Sequence, residues 1–103
     1  MKQRKKDEFE REHDRMAHNL AKVLRQGGDY LHVVEFVNYK RGDVQGEVDV
    51  LAVRQDRGVE FYEVKTNSKL RRKAQSQYVK FKGIFGKPST GYMVSPGFIR
   101  RLK

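Results

Sequence analysis

Between residues 30 and 65, three short runs rich in β-branched and aromatic side chains are separated by turn formers, and a stretch of helical period stands on either side. That arrangement calls for a sheet with helices packed on it. Residues 30–37, 47–53 and 59–65 predict strands. Asn38, Gly42, Asp43 and Gly46 mark a turn region over 38–46, and Gln55-Asp56-Arg57-Gly58 marks a hairpin turn. On the N-terminal side, Phe9, Met16, Leu20, Val23 and Leu24 recur at helical spacing with Ala17 and Ala21 beside them. They predict a helix over 8–26, stopped by Gly27-Gly28. On the other side, Thr66-Asn67-Ser68 offers N-caps to a second helix. Its stripe is Leu70, Ala74, Tyr78, Phe81, Ile84 and Phe85, and Gly86-Lys87-Pro88 ends it. Residues 90–95 predict a short final strand, Pro96-Gly97 a turn and 98–103 a last helical turn. The order α-β-β-β-α-β describes an α/β (α+β) fold, a mixed sheet flanked by helices, with the second helix as a right-handed crossover.

A chain of 103 residues is expected to build one domain, and no linker or repeat divides it. The absence of cysteine removes disulfides, thiolate metal sites and cysteine nucleophiles. No apolar run approaches the roughly 20 residues of a membrane span. The basic opening Met1-Lys2-Gln3-Arg4-Lys5-Lys6 leads into Asp7-Glu8, unlike a signal peptide, so an intracellular protein with access to DNA is expected.

Charge narrows the partner. All 13 acids lie within residues 1–65, where 13 bases balance them, whereas residues 66–103 hold ten bases and no acid. A field of one sign suits a polyanion, and nucleic acid is the commonest. An anionic membrane surface would also attract it, while a surface meant only for solubility mixes the signs.

Side chains alternate along a strand, so Val59, Phe61, Glu63 and Lys65 share one face. That face begins apolar and ends charged, as a core does where it opens into a polar pocket. In the strand before it, Asp49 is expected to share a face with Leu51 and Val53, with Val48, Val50 and Ala52 on the other. A hairpin would bring Asp49 near Glu63 and Lys65. Two buried carboxylates repel and are costly to desolvate, and a divalent cation relieves both problems. A cation, an activated water and basic side chains on the strand are enough to hydrolyse a phosphodiester. A cross-strand salt bridge between Lys65 and an acid would use the same residues for stability alone.

Gly46-Glu47-Val48-Asp49-Val50-Leu51, then Phe61-Tyr62-Glu63-Val64-Lys65 with fourteen residues from Asp49 to Glu63, resembles the PD-(D/E)XK nuclease superfamily, and small members such as archaeal Holliday junction resolvases in particular. Val48 stands where the name of the family has proline. The resemblance implies a restriction-endonuclease-like core, Asp49, Glu63 and the Val64 carbonyl as ligands of Mg²⁺ (with Mn²⁺ able to substitute), and Lys65 as the catalytic lysine. It also implies a glutamate from the first helix, with Glu10 preferred and Glu12 second. Lys69, Arg71, Arg72 and Lys73 are the expected phosphate contacts. Gln77, the polar residue well inside the second helix's stripe, either reaches the site or a phosphate or sits at the helix edge. Tyr78 and Phe81 fall at core spacing. His13, His18 and His32 are scattered and expected as ordinary surface or core residues, and Arg41-Gly42-Asp43 as a turn.

The function these features imply is a Mg²⁺-dependent DNA endonuclease, with Holliday junction or other branched DNA as a substrate and a homodimer as the working form. RNA cleavage and a non-catalytic nucleic-acid-binding module on the same fold are the alternatives.

Overall fold

The computed structural model describes the backbone of residues 3–66, 70–85 and 89–102, and side chains of 11–66, 70–84 and 89–102. The elements run α1 (Gln3–Gln26), β1 (Tyr30–Arg41), β2 (Val44–Arg54), β3 (Val59–Val64), α2 (Arg71–Phe85), β4 (Ser89–Ser95) and β5 (Phe98–Leu102). The five strands form one sheet in sequence order. β1–β2, β2–β3 and β4–β5 pair antiparallel, and β3–β4 pair parallel, with α2 making the crossover between them. This is the mixed α/β sheet that the periodicities predict.

Each face of the sheet buries one helix. Ala17 and Ala21 of α1 pack on Val50, Ala52, Tyr62 and Val64. Small residues at those two positions let the helix approach closely. On the other face, Ala74, Tyr78 and Phe81 of α2 pack on Val48, Phe61, Met93 and Leu102. Alternation along β3 sends Phe61 to α2 and Tyr62 and Val64 to α1, all 6% exposed or less. Gly91 is needed under α2, because a Cβ there would meet the Tyr78 ring at 2.6 Å.

Three expectations need correction. The segment expected as a last helical turn is β5, which runs back along β4 from Ser95↔Phe98 to Gly91↔Leu102. Gly97, at φ 88°, makes the tight reversal, and Leu102 is drawn into the core. The expected 38–46 turn region is mostly strand. Only Gly42 and Asp43 lie between the paired Arg41 and Val44, with Gly42 at φ 62°. Tyr39 explains the extension, since its ring meets Phe81 edge-on at 5.9 Å and ties the hairpin to the core under α2. The tip is tied as well, by Arg41 donating to the Ile84 carbonyl at 3.3 Å and Lys80 to the Gln45 carbonyl at 3.2 Å.

The third correction concerns faces. Val48 was expected beside Val50 and Ala52, yet it joins the core under α2 while they join the core under α1. On β1, Val33 goes to the α1 side and Val37 to the α2 side, although four residues apart they share a parity. Apart from a register shift between Tyr30 and His32 at the start of β1, the long hairpin exchanges its faces at the rung between Val37↔Val48 and Glu35↔Val50. Among the described residues, no helix is long and apolar enough to cross a membrane.

Candidate active site

The last rung of the β2–β3 ladder pairs Val50 with Tyr62, and beyond it the strands stop pairing main chain to main chain. Instead the Val64 N–H donates to Asp49 Oδ2 at 2.8 Å. β3 stays attached on its other side, where the Lys65 N–H donates to the Val94 carbonyl at 2.8 Å. A polar cleft opens in this gap at the carboxyl ends of the parallel strands, the place where open α/β sheets bind ligands. It has a volume of about 360 Å³ and is lined by Asp49, Glu63, Lys65 and Gln77, with His13 and Asp14 reaching it from α1 and Glu47 at its side.

Glu63 continues the face begun by Phe61 and is 1% exposed. Burial, reinforced by the charge of Asp49, pushes its carboxyl up to about 8, against the opposing pull of Lys65 and His13. Its Oε2 lies 3.3 Å from Lys65 Nζ. Its Oε1 is buried with no hydrogen-bond partner among the described residues. Lys65 Nζ also donates to Gln77 Oε1 at 3.0 Å, so β3 and α2 hold the ammonium between them.

Asp49 is 6% exposed, and its Oδ2 accepts from Val64 N–H and meets His13 Nε2 at 3.1 Å. His13 Nδ1 is 3.1 Å from Asp14 Oδ1. The hydrogen bond to Asp49 is the main cause of a His13 pKa raised to about 9, with burial opposing and Asp14 adding to it. Protonated His13 would partly balance the two carboxylates of the cleft. Sequence reasoning treated His13 as an ordinary histidine. It stands one turn before Ala17 and two before Ala21, so the buried stripe of α1 already aimed it at the sheet.

The remaining expected residues divide clearly. Arg71, Arg72 and Lys73 are exposed in the first turn of α2 and do not line the cleft, whereas Gln77, farther along the helix, does. Glu12 is half-buried and does not line it either. Val64 contributes its N–H to Asp49 and buries its side chain under α1. The side chain of Glu10 and all of Lys69 lie outside the described residues. Among the described residues, no cluster of three Asp, Glu or His side chains forms a ready metal cage.

The molecule is thus an α/β protein with a cleft of two carboxylates and a lysine at the end of a parallel strand pair. No family model matches the chain, and no curated protein matches it. A solved structure, the crystal structure of a repair endonuclease from Pyrococcus abyssi, is similar at 22% identity and a TM-score of 0.42, over 61% of this chain and 30% of that one. The chain therefore spans less than a third of that protein's length.

Proposed function

We propose that this chain is a metal-dependent DNA endonuclease of the PD-(D/E)XK kind, hydrolysing phosphodiester bonds in the cleft between α1 and α2. The observation that carries this is Glu63, a carboxylate 1% exposed with one oxygen unpartnered among the described residues and Asp49 close enough to raise its pKa. A salt bridge made only for stability would leave no buried oxygen without a partner, because such an oxygen costs roughly 1–3 kcal/mol or more. The donors fit a hard divalent cation such as Mg²⁺, which takes one or two carboxylates and completes its shell with water and phosphate. Asp49 and Glu63 would hold it, with the Val64 carbonyl as a further ligand and Mn²⁺ able to replace it. When bound, the cation supplies charge that polarises the phosphate and acidifies the attacking water.

The chain's own groups supply the rest. The Lys65 ammonium has three donors. Glu63 and Gln77 take two, leaving one for a water or a phosphate oxygen. The first turn of α2 contains no acid and three consecutive cations, against the helix dipole. A phosphate backbone resolves that conflict, since it is attracted both to the cations and to the helix N-terminus. Branched or four-way DNA as the preferred substrate and a homodimer as the working form belong to the same proposal, because paired sites suit the cutting of two strands.

The test is incubation of the protein with linear, nicked, flapped and four-way DNA, and with RNA of the same sequence, in Mg²⁺ or EDTA. Cleavage of DNA in Mg²⁺ and none in EDTA is expected. DNA binding without cleavage under any condition would leave a non-catalytic binding module in its place.

A further inference from the structure

Phe36 lies within β1 with φ 53°, in the left-handed region that a bulky residue in a strand adopts only under strain. Arg57, the other non-glycine residue with positive φ among those described, sits in the β2–β3 turn, where such a conformation is ordinary. Packing of the Phe36 ring does not demand the strain. The side chain is exposed, and its ring centroid lies 6.4 Å from that of His13. The distortion coincides with the rung at which the hairpin exchanges its faces. Val33 and Val50 on one side of it pack under α1, and Val37 and Val48 on the other pack under α2. The neighbouring rungs pair Glu35 with Val50 and Val37 with Val48, so the residue across from Phe36 is Asp49.

We propose that Phe36 is a positioning residue for the cleft: its left-handed backbone exchanges the hairpin's faces at this one rung and thereby turns Asp49 into the gap at the end of β3. Unbroken alternation would leave Asp49 beside Leu51, wholly on the α2 side and away from His13 on α1. With the exchange, Asp49 stands between the two faces, accepting the Val64 N–H and meeting His13 Nε2, while Glu63 lies on the α2 side. The strain of one exposed residue is the local cost of aiming one carboxylate. The consequence for cleavage rests on the nuclease reading, whereas the placement of Asp49 does not.

Asparagine and valine separate backbone from ring, since both remove the aromatic group but only asparagine accepts a left-handed backbone readily. Hydrogen exchange at the Val64 amide reports the bond to Asp49 without metal or DNA. Phe36→Gly and Phe36→Asn should keep this amide as protected as in the wild type. Phe36→Val should speed its exchange by about tenfold or more, the scale of a lost hydrogen bond to a charged acceptor, while the β4 amide of Met93 stays protected. Equal Val64 exchange in the asparagine and valine variants would overturn the proposal. Should the valine variant not fold, Phe36→Ala against Phe36→Gly decides: faster exchange in alanine supports the proposal, and equal exchange overturns it. Because the readout needs no cation, a failure of the nuclease reading and a failure of this one are seen separately.

Discussion

At Glu63, desolvation and the Asp49 charge both oppose ionisation, and Lys65 offsets only part of that opposition. The consequence for stability has a definite sign. In the unfolded chain the carboxyl has its ordinary pKa of 4.5, and burial in the folded protein pushes it up to about 8. Between those values the folded state holds the extra proton, so stability falls as pH rises and the whole penalty is present above about pH 8. Metal-free Glu63→Gln should therefore melt higher than wild type above pH 8 and gain less near pH 5, in thermal scans buffered across that range. A wild-type advantage at high pH would mean that Glu63 ionises without cost. Lys65→Ala removes a cation that both Glu63 of β3 and Gln77 of α2 hold. Cleavage should then fall by about 10²-fold or more, the scale of losing one charge-stabilising donor, with less effect on Mg²⁺ binding, as single-turnover rates and a metal titration would read.

At the scale of elements, α2 has two duties on two faces. Its inner face packs Ala74, Tyr78 and Phe81 on the sheet, and Gly91 makes room for Tyr78. Gly91→Ala should destabilise the protein by about 1–3 kcal/mol, the usual cost of overpacking, as denaturant melts would show. Its first turn presents Arg71, Arg72 and Lys73 to solvent. Neutralising these three should flatten the dependence of DNA affinity on salt by roughly 0.9 in log–log slope for each true duplex phosphate contact. An unchanged slope would move the binding face elsewhere. The elements explain what the sequence made legible. Helical spacing revealed both helices, because each buries one stripe, and runs of β-branched and aromatic residues between turn formers revealed β1 to β4. The five apolar and basic residues of β5 fit a helical turn as well as an edge strand, and only pairing with β4 decides between them. Asp49, Glu63 and Lys65 could be grouped from strand periodicity, whereas the helix pattern left Gln77 open between the site and the helix edge. The stripe of α1 aims His13 at the sheet, but its contact with Asp49 was not legible, because that depends on how close α1 comes to the sheet, which Ala17 and Ala21 set. Nor was the exchange of faces at Phe36, which no local pattern encodes.

Across the whole molecule, the two signs of charge are drawn from different parts of the sequence. The acids that line the cleft come from the first 65 residues, and the surplus of cations comes from α2 onward. Both helices flank the cleft, one on each face of the sheet, so the site depends on the complete sandwich rather than on the β2–β3 hairpin alone. A cation that binds the folded state alone must then raise the melting temperature, and go on raising it with the logarithm of its concentration above Kd, adding roughly 2.7 kcal/mol of stability at a hundred times its Kd. The central claim is that Asp49 and Glu63 make this cleft a cutting site, and the most direct measurement is cleavage of DNA by wild type, Asp49→Asn and Glu63→Gln in Mg²⁺, each variant first checked for its fold and its DNA affinity. The account predicts that wild type cuts, that EDTA stops it, and that both variants bind DNA at least as tightly as wild type yet do not cut. Undiminished cutting by the two variants, or a wild type that binds DNA and never cuts it in Mg²⁺ or Mn²⁺, would contradict it.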